Sequence, residues 1–98
     1  MKFNMSGQEF FGELIGGTIL ILSGFIFKNG FITGITLALL IIIGESFYSV
    51  SFNPMIATAH YLSGIINLEQ FKFHLFAELL AAIIAFIIYD KYLKKNGL

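Results

Sequence analysis

The chain has 98 residues, of which 57% are hydrophobic and only 12% charged, with a mean hydropathy of +0.86 and a formal net charge of zero. A soluble domain usually carries about 25% charged residues, and so short a chain has too little interior to hide this much apolar surface from water. The balance excludes a soluble monomeric enzyme and points to an all-α integral membrane protein, whose first partner is the lipid bilayer. The absence of cysteine excludes disulfides, thiolate metal sites and cysteine nucleophiles. There is no arginine and the lysines are scattered, so a nucleic-acid footprint is missing and no nucleic-acid partner is expected. No nucleophile–base pair, metal-ligand cluster or phosphate loop can be picked out, so neither enzymatic activity nor a bound cofactor is expected.

A hydrocarbon core needs about 20 apolar residues of helix. In chain order, the stretches that qualify are residues 10–27, bounded by Lys28, Asn29 and Gly30; residues 31–47, nearly unbroken until Gly44 and Glu45; and residues 71–92. At the end of the last, Lys91, Lys94 and Lys95 can snorkel to the interface, and Tyr89 and Tyr92 suit an aromatic belt. The N-terminus, with Lys2 as its charged start, has the outline of a signal peptide. Glu9 and Glu13 stand where its apolar core would begin and no small-x-small cleavage pattern follows, so a retained span is expected. Residues 1–98 read as one membrane domain.

The segment between the second and third spans is the informative one. Asn53 is a strong N-cap residue, Pro54 suits the first helical position, and Gly64 suits the residue just past a helix end. A helix over residues 54–63 is roughly 15 Å long, about half of a hydrocarbon core of about 30 Å. It is apolar enough to enter a membrane and too short to cross it, which predicts a re-entrant half-helix led in by an extended loop at residues 49–52. Non-helical backbone at that depth is tolerated only where protein buries it or water lines it. The half-helix N-terminus turns unpaired N–H groups and a positive dipole end toward the membrane centre, which disfavours a cation there. The competing reading is a fourth full span over residues 45–63, kinked at Asn53-Pro54. Three crossings put the termini on opposite sides, and four put them on the same side.

Phe52-Asn53-Pro54-Met55-Ile56 resembles the Asn-Pro-Ala signature of the aquaporin and glycerol-facilitator family, with Met in place of Ala. Phe10-Phe11-Gly12-Glu13-Leu14-Ile15-Gly16-Gly17-Thr18 resembles that family's first-helix pattern, and Phe76-Ala77-Glu78-Leu79-Leu80-Ala81-Ala82 its third-helix run. The order span, span, half-helix, span is that of one aquaporin repeat. The resemblance implies a passive channel for water or small uncharged solutes such as glycerol. It also implies a pore lined by Asn53, Pro54, Met55 and the carbonyls of Ser49, Val50 and Ser51, with Glu13 accepting hydrogen bonds from the re-entrant loop. An aquaporin has two such repeats in inverted orientation, and this chain has one. A homo-oligomer is therefore expected, in its simplest form an antiparallel dimer. The family's filter arginine would fall at Ile56, and its second-helix filter position near Thr33, so the usual filter is absent.

Several residues keep more than one reading. Glu13 is an intramembrane carboxylate and a functional candidate by default. It suits loop support, proton or cation coupling, or a place near the interface. The Asn53 amide can donate to a passing oxygen while its own oxygen caps the half-helix; capping alone is the simpler role. Met55 either narrows the meeting point of two half-helices or fills space. His60 and His74 stand alone in the sequence and read as interfacial or core histidines. Glu78 replaces the family's amide, either protonated or facing a polar interior, and Glu45, Glu69 and Asp90 read as interfacial. Small residues four apart, Gly12/Gly16, Gly30/Gly34, Gly34/Ala38 and Ala77/Ala81/Ala85, predict close helix packing. On three crossings, Lys2 and Lys72 lie on one side and Lys28, Lys91, Lys94 and Lys95 on the other, a weak bias that permits dual topology. The alternatives to a channel are a small dual-topology proton-coupled transporter with four crossings and a non-transporting, holin-like membrane protein.

Overall fold

The computed structural model describes residues 2–98, with side-chain surroundings from Gly7 onward. Lys2, used above in the charge balance, lies outside the residues whose side chains are described. The described chain is all-α, with four helices: α1 Lys2–Phe27, α2 Gly30–Gly44, α3 Pro54–Leu62 and α4 Leu68–Ile88. α4 runs on through a π-helical turn, Tyr89–Leu93, and a 3-10 turn, Lys94–Asn96.

The caps explain the boundaries. Asn29 starts α2 by accepting from the Ile32 N–H at 3.0 Å, and Asn53 starts α3 by accepting from the Met55 N–H at 2.7 Å. α4 begins at Leu68, a turn's breadth before the expected residue 71. Asn67 accepts from the Gln70 N–H while the Gln70 side chain accepts from the Asn67 N–H, both at 2.8 Å, and this reciprocal cap nucleates the helix early. α2 ends at Gly44 rather than at 47. Tight bonds from Ser46 to Ile43 and from Phe47 to Gly44 close its last turn. Ser63 caps α3 and Gly64, at φ +84°, supplies the left-handed residue that lets the chain leave it.

α1 lies at the centre: α4 packs along one side of it and α2 along another, and α3 packs on α4. Among the described residues, the helix that α2 touches is α1. The α1–α4 seam is built from small residues, with Ala77, Ala81 and Ala85 wholly buried and Gly17 facing Ala81. The distribution of polarity is inverted relative to a soluble protein. Glu9, Glu13, Ser51, His74 and Glu78 are buried, whereas Phe11, Ile15, Phe76, Leu79 and Ile83 are each more than half exposed. A small apolar core, Leu20, Val50 and Phe52, sits between α1, α2 and the loop. The helical runs Gly7–Phe27 and Leu68–Asn96 are long and apolar enough to cross a membrane. α2, with 15 residues, is about 22 Å long at the helical rise of about 1.5 Å per residue.

Candidate functional site

The loop that leads into α3 is anchored on a fully buried carboxylate. Glu13 Oε2 accepts from the Tyr48 hydroxyl at 2.9 Å and from the Ser51 N–H at 3.0 Å. Its Oε1 accepts from the Phe52 N–H at 2.7 Å and lies 2.9 Å from Ser51 Oγ. An ionised carboxylate with its lone-pair positions filled in this way makes strong, charge-assisted bonds. Two consecutive loop amides aimed at one anion also form a compact anion-binding nest. The extended segment is thus satisfied by a side chain of α1 rather than by water.

Behind the loop the network continues along α4. Gln70, His74 and Glu78 are spaced four apart, so they share one helix face. That face meets Glu9 and Glu13 of α1. Ser51 Oγ lies 2.8 Å from His74 Nδ1 and 2.7 Å from Glu78 Oε2. On its other side, His74 Nε2 lies 2.9 Å from Glu9 Oε1, and the Gln70 amide donates to Glu9 Oε2 at 3.0 Å. His74 is therefore not a solitary residue: it bridges Glu9 to the loop and is wholly buried. Glu13, His74 and Glu78 present ligand-type atoms within 4.8 Å of one another. However, Glu13 and His74 Nδ1 are already engaged by the loop, so the cluster reads as a clamp on the loop rather than as an open metal site.

The glycines make room for this loop. A Cβ on Gly12 would lie 2.6 Å from the Tyr48 hydroxyl oxygen. A Cβ on Gly16 would collide with the Phe52 ring, and one on Gly44 with the Val50 side chain. Gly12 and Gly16 thus receive loop side chains, not the neighbouring helix expected from their spacing. Phe52 needs that notch, because its φ of +60° is a left-handed conformation that costs a bulky residue energy. Its buried ring and its bond to Glu13 hold it there.

In front of the loop the picture changes. Asn53 and Thr33 line one groove of about 700 Å³, walled by Leu20, Ile21, Gly24, Phe25, Gly30, Gly34 and Leu37 from α1 and α2. The Asn53 side-chain oxygen caps α3, and its amide NH₂ makes no hydrogen bond among the described residues. A side chain at Gly30 or Gly34 would meet nothing, so the stripe they form is open. Met55, beside Asn53, is 77% exposed, Pro54 is exposed and Ile56 half-buried. Ser49, Val50 and Ser51 do not line this groove. Ser49 and Val50 border a separate recess of about 570 Å³ with His60, on the other side of the loop. Ser51 lines neither, because Glu13, His74 and Glu78 turn it inward.

The sequence reading passed over Glu9, His74 and the Ser51 hydroxyl as members of one group. The signal was the row Gln70, His74 and Glu78, each four residues from the next on α4, opposite Glu9 and Glu13 at the same spacing on α1. No protein-family model, no curated protein and no solved structure matches this chain.

Proposed function

We propose that the chain is one half of a membrane pore for water or small uncharged solutes, completed by a second copy of itself inserted in the opposite orientation. α1, α2 and α4 would cross the bilayer and α3 would enter it only part-way. The inverted polarity supports the membrane reading, since apolar side chains on the outside match lipid and buried carboxylates must be paired inside. The nine residues of α3, roughly 14 Å of helix, support re-entry rather than crossing. α2 is short for a full span, which favours a bilayer locally thinned or a helix set nearly along the membrane normal.

The observation that carries the reading is the groove at Asn53. A half-helix N-terminus, an unpartnered amide donor and the Thr33 hydroxyl converge on an apolar trough that one chain leaves open along its side. Apolar walls with a few fixed polar groups are the pattern of a site for small neutral molecules. A second copy related by a two-fold axis in the membrane plane would close the trough and bring two α3 N-termini together, with Met55 at the meeting point. The resemblance to one aquaporin repeat points the same way. The test is osmotic shrinkage of proteoliposomes in a stopped-flow instrument, with water and then glycerol as permeant. Faster shrinkage for the native chain than for Asn53→Leu and for empty vesicles is the expected result. Equal rates for folded native protein and empty vesicles would remove the self-sufficient pore.

A further inference from the structure

The buried clamp contains more contacts than its obvious hydrogens can fill. Four contacts link Glu9 to His74, His74 to Ser51, Ser51 to Glu13 and Ser51 to Glu78, each between 2.7 and 2.9 Å. Each joins two atoms that carry lone pairs, so each needs one hydrogen between them. Ser51 brings one. The other three must sit on the acids and the imidazole. Glu13 is filled by two backbone N–H groups and the Tyr48 hydroxyl, so it is the anion and receives the Ser51 hydrogen. His74 Nδ1–H and an acid proton on Glu78 then donate to the two lone pairs of Ser51 Oγ. The last hydrogen is shared between His74 Nε2 and Glu9. Lys28 and Lys72 lie elsewhere on the chain, and among the described residues no lysine ion pair enters this group. The residues facing it are Glu9 and Glu13 from α1, Tyr48 and Ser51 from the loop, and Gln70, His74 and Glu78 from α4.

The string has ends and a middle. Ser51 and His74 are wholly buried, whereas Glu9 is 2% and Glu78 6% exposed. Glu78 Oε1 is buried and has no hydrogen-bond partner, although the backbone of Asn53 stands beside that carboxyl. From Gln70 to Glu78 the string climbs α4 by about 12 Å at the helical rise of about 1.5 Å per residue.

We propose that Glu9, His74, Ser51 and Glu78 form a proton relay between the edge of the protein at Gln70 and the groove at Asn53. The inference rests on the membrane reading above and adds an activity to it. In one passage Glu9 takes a proton from water and gives one to His74 Nε2. Glu78 turns the oxygen that carries its proton away from Ser51 and releases that proton on the Asn53 side, which leaves its bare oxygen facing Ser51 as an acceptor. His74 then gives its Nδ1 proton to Ser51 Oγ while the Ser51 hydroxyl hydrogen, turned from Glu13 to Glu78, passes to that bare oxygen. Asn53, whose backbone stands beside the Glu78 carboxyl and which itself lines the groove, marks the outlet. The imidazole resets by exchanging which nitrogen carries its hydrogen. One proton enters, one leaves, and every residue regains its count. Glu13 holds the loop and carries no proton. In an antiparallel pair each copy would supply the relay for its own half of the membrane.

Two readouts test this. Infrared spectroscopy of the native protein in lipid vesicles at neutral pH is expected to show the carbonyl band of a neutral carboxylic acid, lost in Glu78→Gln. Glu78→Gln preserves a donor to Ser51 but cannot pass a proton on. Vesicles loaded with a pH-sensitive dye and driven by a potassium diffusion potential are expected to show proton flux above empty vesicles. In folded Glu78→Gln and in His74→Gln the flux is expected to fall to the level of empty vesicles. Absence of the acid band from the native protein would overturn the relay, and so would native flux no greater than that of empty vesicles, or undiminished flux in the folded variants. If neither variant folds, the native band decides. Water permeation measured on the same vesicles separates the two proposals: water flux without proton flux overturns the relay and leaves the pore, and proton flux without water flux does the reverse.

Discussion

The two sides of Asn53 are built on opposite principles. Behind it, the loop at Tyr48, Ser51 and Phe52 is closed on Glu13, with donors matched to acceptors and glycines notched to receive the aromatic rings. In front of it, the groove is unfinished: among the described residues the amide donor has no partner and the Gly30/Gly34 stripe meets nothing, and Met55 projects outward. The contrast separates two jobs. The Glu13 bonds to the loop belong to the stability of one chain, and the groove belongs to what a chain does with another.

Substitutions can break that separation, and Glu13 gives the largest expected effect. Glu13→Leu leaves the buried Ser51 and Phe52 amides and the part-buried Tyr48 hydroxyl without an acceptor. Each such orphan costs about 1–3 kcal/mol, so a loss of roughly 4 kcal/mol or more is expected, read as a collapse of the thermal transition in detergent. Gly16→Val comes next, because it evicts the Phe52 ring from its notch. Overpacking costs about 1–3 kcal/mol, and the same melting experiment is expected to fall by about that amount.

The groove side should respond in the opposite way. Asn53→Asp retains the cap, so stability is expected to stay within about 1 kcal/mol of the native chain, while permeation falls because the amide donor is gone. Paired melting and stopped-flow measurements check both halves of that statement. Gly34→Leu is expected to have the smallest effect on the single chain, within about 0.5 kcal/mol as for open surface sites, and to weaken association between copies in light scattering. A large loss of stability in Gly34→Leu would contradict the picture of an open stripe.

Helix starts were legible because they depend on local chemistry. Asn53 with Pro54, and Gly64 at the far end, announce their roles within three or four residues of chain, and α3 lies within a residue of the range read from those signals. α4 began earlier than expected because the Asn67/Gln70 reciprocal cap outweighs the polar residues Glu69, Gln70 and Lys72 that hydropathy counts against it. The clamp was only partly legible. Glu13 stood out as a lone carboxylate in an apolar stretch, but the group around it joins residues separated by 23 to 65 positions in the chain. Spacing identifies a polar face on each helix, whereas the meeting of two such faces through Ser51 is a product of packing. The same limit applies to the glycine pairs: spacing gave their face and not their occupant, so Gly12 and Gly16 turned out to seat Tyr48 and Phe52.

The meeting of two grooves is the claim on which the functional account depends. The chain contains no cysteine, so Met55→Cys introduces a single reporter at the tip where two half-helices would face each other. The most direct measurement is treatment of that variant in lipid vesicles with a short thiol crosslinker, followed by denaturing electrophoresis. A covalent dimer that disappears when Gly34→Leu is added is the predicted result. A folded variant that stays monomeric under the same treatment would contradict the account, because a pore whose halves do not meet at Met55 is not the one this groove would complete.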